Sequence, residues 1–320
     1  MKLAIYLRTA CGGAAWHSAL GLAVLVALVA CGGGARRARA TIDKPVKVVA
    51  KTAGDRILPL LPEGAQLIVE LDLQRLRANP VVGKLVTGVL TGPAIPIAGV
   101  PASPLGGADA LVLASYGMGT SQAATVIVLS TRDKVENGVP IGDGLVALGP
   151  ESWTAQLEAR AAIAGADGKL VAAADLLALR DHAMPDGAPG ASIRITARLS
   201  FDARVALARQ TGLEAPPARV SVWGDVVDDL AIIVDADAAD PGDKKAKQPA
   251  KRLETGVRGM LAGLANEPAL QALGLPSSLQ GARIVSQGSW VRTIIAIGPA
   301  HLHRVVERAN ALLAAQAPSS

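Results

Sequence analysis

The residues that could do chemistry are few, and their spacing argues against most of the chemistry they could do. His301 and His303 stand two apart at the start of a predicted helix, so they point ~200° apart around it and cannot share a metal as an i, i+4 pair would. They read as surface residues, and His182 lies far from both in sequence. Glu70 and Asp72 lie two apart on one face of a predicted strand, as the paired carboxylates of a hydrolase would. Nothing nearby in the sequence would raise either pKa, so they read as a solvated strand face. Asp235, Asp237, Asp240 and Asp243 gather around Gly242, an oxygen-rich set that makes them weak calcium candidates. Their spacing departs from the EF-hand loop, and Lys244, Lys245 and Lys247 follow at once, so the stretch reads as a solvated loop, acidic and then basic. Gly117-Met118-Gly119 falls between two predicted hairpin strands and not before a helix, which makes it a turn and not a dinucleotide fingerprint. A nucleophile elbow, a Walker loop and a Ser-x-x-Lys motif are all missing from the sequence. The residues predict no catalytic group, no cofactor and no enzyme.

The elements that must position these residues follow from periodicity. After Pro62-Glu63-Gly64-Ala65, the residues Leu67, Val69, Leu71 and Leu73 alternate with Gln66, Glu70 and Asp72, the pattern of a half-buried strand. A short helix runs from Gln74 to Asn79-Pro80. Pro185-Asp186-Gly187-Ala188 repeats the opening, a second alternating run covers Ser192 to Leu199, and Ser200 is a candidate N-cap for a helix through Arg209.

Leu145-Val-Ala-Leu-Gly-Pro150 matches Ile294-Ile-Ala-Ile-Gly-Pro299, and each enters a helix, the first carrying Trp153, Leu157 and Glu158 and the second Leu302, Val306 and Glu307. Between these landmarks each half holds a hairpin: 110–115 with 125–130, and 219–223 with 229–235. A further helix is expected at about 253–264. Hairpins mixed with helices, without regular βα alternation, predict an α+β fold, here two tandem copies of a strand-helix-hairpin-strand-helix unit with a mainly antiparallel sheet. If the copies are related by a twofold axis, their first strands adjoin. Glu70 and Asp72 then share a face with Arg194 and Arg198 and pair with them across the strands.

Charge is distributed unevenly. Residues 1–56 hold nine of the 32 basic side chains and two of the 27 acidic ones, which leaves 23 basic against 25 acidic for the body. The net charge of +5 is therefore a property of the amino-terminal segment. A slightly acidic body with few stacking aromatics (Tyr116, Trp153, Phe201, Trp223, Trp290) does not suit nucleic acid.

Lys2 and Arg8 precede the uncharged run Ala19 to Ala30, which has the length of a secretory h-region and is short of the ~20 residues a bilayer span requires. Its end, Leu28-Val29-Ala30-Cys31, resembles the lipobox of bacterial lipoproteins. The resemblance implies that residues 1–30 are a lipoprotein signal peptide, that Cys31 is the lipid attachment site, and that the new amino terminus carries an acyl chain such as palmitate. Several acyl chains make membrane anchoring effectively permanent, whereas one does not. Residues 31–56 then form the lipidated cysteine and a flexible basic tether, in which Arg36, Arg37 and Arg39 follow Gly32-Gly33-Gly34. With Cys31 lipidated and Cys11 removed, the mature chain has no free thiol, which suits the periplasm. By analogy with enterobacterial lipoproteins, Gly32 in place of an aspartate favours the outer membrane facing the periplasm, with the inner membrane and the cell surface left open.

The first and second α+β halves are placed at 57–166 and 167–320. Leu61-Pro-Glu-Gly-Ala65, the strand, and Asp72-Leu-x-x-Leu-Arg77 also resemble envelope lipoproteins of high-GC soil bacteria, a likeness that brings no activity with it. The expected partners are the membrane, through the lipid anchor, and either another envelope protein or an apolar ligand. The first corresponds to an interaction or scaffold module and the second to a carrier of lipid or other apolar cargo.

Overall fold

The computed structural model describes residues 52–91, 105–167, 172–188, 190–238 and 248–316. The signal peptide, Cys31 and most of the tether lie outside the described residues. Thr52 opens the described body with a capping box: its hydroxyl accepts from the Asp55 N–H while Asp55 accepts from the Thr52 N–H. This fixes the short helix α1 (Ala53–Ile57), which continues into a 3₁₀ turn (Leu58–Leu60). The body therefore begins ahead of the expected boundary at 57, because a cap too short to show as periodicity already folds the chain.

The first half continues with β1 (Leu67–Asp72), α2 (Leu73–Ala78), α3 (Gly83–Thr91), β2 (Ala110–Tyr116), β3 (Ala124–Ser130), β4 (Val139–Gly142), β5 (Leu145–Leu148) and α4 (Glu151–Asp167). The second comprises α5 (Ala174–Asp181), β6 (Ile193–Arg198), α6 (Phe201–Thr211), β7 (Arg219–Val226), β8 (Leu230–Asp237), α7 (Pro249–Ala265), α8 (Pro268–Leu273), α9 (Pro276–Gln280), β9 (Arg283–Gln287), β10 (Trp290–Ile297) and α10 (Pro299–Gln316). The fold is α+β, as expected. Ser200 caps α6 by accepting from the Ala203 N–H. Four of the helices in the second half start at a proline, whose missing N–H would be unbonded there in any case.

All ten strands form one antiparallel sheet in the order β4-β5-β3-β2-β1-β6-β7-β8-β10-β9. Read outward from the central β1/β6 pair, both sides show the same succession: first, second, third, fifth and fourth strand of their half. The strand expected before each terminal helix is in fact a hairpin, β4–β5 or β9–β10, closed by a two-residue turn. Asp143-Gly144, both with positive φ, makes the first turn; Gly288-Ser289, with positive φ at glycine only, makes the second. These match the primed turn types that fit strand twist.

Alternation divides the sheet into two faces. Leu67, Val69 and Leu71 of β1, Ile193 and Ala197 of β6, and Val291, Ile295 and Ile297 of β10 face the main core. On that side, here called the obverse, lie α2, α3 and α6–α10; α7 contributes Ala250, Leu253, Val257, Leu261 and Ala265 at helical spacing. The reverse face holds a second core over the first half, in which Ile68, Val112, Ala114, Leu145 and Ala147 meet Leu157 of α4 and the α1 segment. Over the second half the reverse face carries only a small cluster of Ala183, Trp223 and Ile233 beneath the 183–191 segment.

Candidate functional site

A cleft of about 400 Å³ opens on the reverse face at the centre of the sheet, lined among others by Gly54, Arg56, Glu70, Asp72, Arg180 and Arg194. Its floor is the β1/β6 pair, in which Glu70 stands directly opposite Arg194. The first strands of the two halves thus adjoin, and the four charges share a face, but their ion pairs are not the expected ones. Glu70 accepts a bidentate pair from Arg180 of α5, at 2.7 Å for each bond, and Arg180 also donates to Asp55 of α1 at 2.8 Å. Arg194 turns to Asp181, and Arg198 to Asp175 at 2.8 Å. Asp72 caps α2, accepting from the Arg75 N–H at 2.8 Å.

The physical reason is the position of α5. It packs on β6 and β7 and brings Asp175, Arg180 and Asp181 over the strands, where they reach the strand charges before those charges reach one another. Asp72 and Arg198, at opposite ends of the strand pair, cannot meet at all. The expectation that Glu70 is solvated is also corrected: its side chain is only 8% exposed. Helix α1 approaches so closely that a Cβ at Gly54 would collide with the Glu70 carboxylate.

Burial works against the charge on Arg180, but its hydrogen bond to Glu70 and the fields of Glu70, Asp55 and Asp181 outweigh that and raise its pKa. For Asp55, burial pushes upward, while Arg180 and the Thr52 bonds prevail and hold the carboxyl below its ordinary value. Arg180, Glu70 and Asp55 therefore form a clamp between α5, β1 and α1, suited to holding structure and not to moving a proton. Sequence reasoning missed Arg180, since a single arginine on a short, weakly amphipathic helix carries no local signal.

A second cluster lies on the reverse face of the outer strands. Asp235, Asp237 and Arg292 share that face with Trp223 and Trp290. Arg292 holds Asp235 with bonds of 2.7 and 2.6 Å, His182 Nδ1 lies 2.8 Å from the same carboxylate, and Arg219 pairs with Asp237. His182 stacks on Trp290 at 3.8 Å between ring centres, with Arg219 over the indole at 5.4 Å. Two of the calcium candidates, Asp235 and Asp237, thus sit inside β8 and not in a loop, each facing an arginine; Asp240 and Asp243 lie outside the described residues. No group of three or more potential metal ligands occurs among the described residues.

His303 is exposed. His301 is half-buried, unlike the surface residue expected, with Nε2 2.8 Å from the Gly274 carbonyl and Nδ1 3.4 Å from Ser278 Oγ. It joins α10 to the α8–α9 segment. Gly117-Met118-Gly119 forms the β2–β3 turn, both glycines having positive φ.

The two sheet edges differ. Edge strand β4 contains Pro140 and a register shift between Pro140 and Gly142. Edge strand β9, Arg-Ile-Val-Ser-Gln, has neither, and Val285 is 41% exposed. Asp143-Gly144 and Gly288-Ser289 are the sequence signals that could have revealed both edges.

No protein-family model matches the chain, and no curated protein matches its sequence. Among solved structures, one described as crystal form I of TP0453 aligns over 79% of this chain and 96% of its own, with a TM-score of 0.39 and 9% identity. That likeness is too slight to bear on function. No helix among the described residues is long and apolar enough to cross a membrane.

Proposed function

We propose that this protein is a lipid-anchored lipoprotein of the bacterial cell envelope whose α+β body acts as a non-catalytic interaction or scaffold module. Anchoring rests on the sequence, where Leu28-Val29-Ala30-Cys31 closes a signal-like segment. The observation that carries the interaction reading is the uneven cover of the sheet: α4 buries Leu145 and Ala147 on the reverse face of the first half, whereas the corresponding Ile294 and Ala296 remain half-exposed. An apolar strip beside an unguarded strand edge suits a macromolecular partner. The central cleft, lined by arginines and carboxylates, lends no support to an apolar cargo. The shared strand order also supports the reading of the two halves as copies of one unit.

The test is Cys31→Ser in the producing bacterium, with metabolic labelling by an alkyne fatty acid. The parent chain is expected to be labelled and to sediment with membranes, and the variant to be unlabelled and released. Unchanged membrane association of the variant overturns the anchor. Crosslinking and pull-down of the mature protein from its own envelope tests the module, which fails if nothing is captured.

A further inference from the structure

We propose that the β9 edge joins two copies of this chain into one continuous antiparallel sheet. The inference deepens the interaction-module reading and rests on it for its biological use.

The argument begins with which backbone groups are free. Gln287 and Trp290 flank the two-residue turn Gly288-Ser289 and are register partners, and the closing pair of such a hairpin exchanges both hydrogen bonds. Alternation then directs the N–H and C=O groups of Arg283, Val285 and Gln287 toward β10. Those of Ile284 and Ser286 point outward, unpaired in one chain, across an edge with no proline, bulge or inward charge to blunt it. The opposite edge is blunted by both Pro140 and the bulge beside it.

The sequence of β9 is complementary to itself. In an antiparallel pair centred on Val285, Ile284 faces Ser286 of the second copy, so every outward N–H and C=O meets a partner. Val285 faces its own counterpart as a non-hydrogen-bonded pair, in which side chains approach most closely. Arg283 faces Gln287, so no like charges are opposed. A parallel pairing in register would instead set Arg283 beside Arg283. On the reverse face, the exposed Val285 gains an apolar neighbour. On the obverse, Ser286 Oγ donates to Glu254 Oε2 of α7 at 2.8 Å, which holds the strand extended against its helix. A twofold interface of this kind closes after two copies.

The test uses the full chain with Val285→Cys, examined in membranes on non-reducing gels, with Pro140→Cys at the guarded edge and the parent chain as controls. Non-hydrogen-bonded partners stand ~4.5 Å apart at Cα, within disulfide reach. The expected result is that Val285→Cys converts most of the chain to a disulfide dimer, at least tenfold more than either control. Independently, Val285→Lys, which sets two cations face to face at the axis, should halve the protein mass measured by light scattering in detergent while leaving the circular dichroism spectrum unchanged. A parent mass of one chain, or a yield at position 285 no higher than at 140, overturns the proposal. Fatty-acid labelling of Cys31 in the same samples keeps the readings apart: a labelled chain without dimer defeats the pairing alone, and an unlabelled chain with dimer defeats the anchor alone.

Discussion

The two ends of the sheet share a strand order but are finished in opposite ways. Gly149-Pro150 leads from β5 into α4, and Gly298-Pro299 leads from β10 into α10. The first helix folds over the reverse face, where Leu157 is fully buried beside Leu145 and Ala147. The second folds over the obverse, where Leu302, Val305, Val306 and Ala309 join the main core. One backbone position separates the two paths: Gly149 has φ of 148°, whereas Gly298 is not among the residues with positive φ. Equivalent sequences therefore fill opposite layers, and the reverse face of the second half is left with short loop cover. A modest difference in chain direction can turn a buried strand face into an available one.

The strongest way to break this arrangement is at the centre that both halves share. Arg180→Met leaves Glu70 buried without its partner and should cost ~3–5 kcal/mol, read from urea unfolding followed by circular dichroism. The loss should appear in a single transition, since the clamp joins α1 and β1 of the first half to α5. Separate transitions for the two halves would show that the sheet does not fold as one unit. Acid should act on the same clamp. With the folded pKa of Asp55 below its ordinary value, its contribution is complete above pH ~4 and is lost as pH falls through the depressed folded value. Asp55→Asn should flatten that part of the stability–pH curve.

The comparison sharpens at Leu145 and Ile294, which occupy corresponding places. Leu145 is 4% exposed beneath α4, so Leu145→Ala should cost ~2–5 kcal/mol. Ile294 is half-buried with no helix above it, and Ile294→Ala should cost ~1 kcal/mol, because exposed methyl groups contribute little to the transfer term. Equal losses in matched denaturation curves would mean that Ile294 is covered.

What could be read from sequence was what local periodicity encodes. Alternation located β1, β2, β3, β6, β7 and β8 to within a few residues, and the Pro299 entry located α10. The adjoining of β1 and β6 was also legible, because repeated landmarks imply equivalent places in the sheet. The edge strands were missed because a four- or five-residue strand shows barely two alternations; only their turns, Asp143-Gly144 and Gly288-Ser289, mark them. The clamp was out of reach for a different reason. Arg180 and Glu70 are 110 positions apart, and their pairing depends on α5 crossing the sheet, which no local pattern states. Glu70 looked solvated because a strand face is judged by its own residues, while its burial comes from α1 and α5.

The smallest effect tests what directs the two terminal helices. At Gly149 the backbone adopts a conformation that side chains rarely take, and an added Cβ would lie 3.0 Å from the Thr125 carbonyl oxygen and 3.1 Å from Val126 Cγ1. Gly149→Ala should therefore cost ~1–3 kcal/mol, combining backbone strain with crowding against β3. At Gly298 a Cβ meets nothing within 4 Å, and alanine there restricts the unfolded chain without straining the folded one. Gly298→Ala should be neutral or stabilising by up to ~1 kcal/mol. Paired urea titrations of the two variants read the difference directly. If both substitutions prove neutral, the direction of α4 is set by the packing of Leu157 and Trp153 and not by the turn, and the glycine at 149 is merely permissive. If Gly149→Ala is costly and also raises the hydrogen exchange of the Leu145 and Ala147 amides, the turn itself sends α4 to the reverse face.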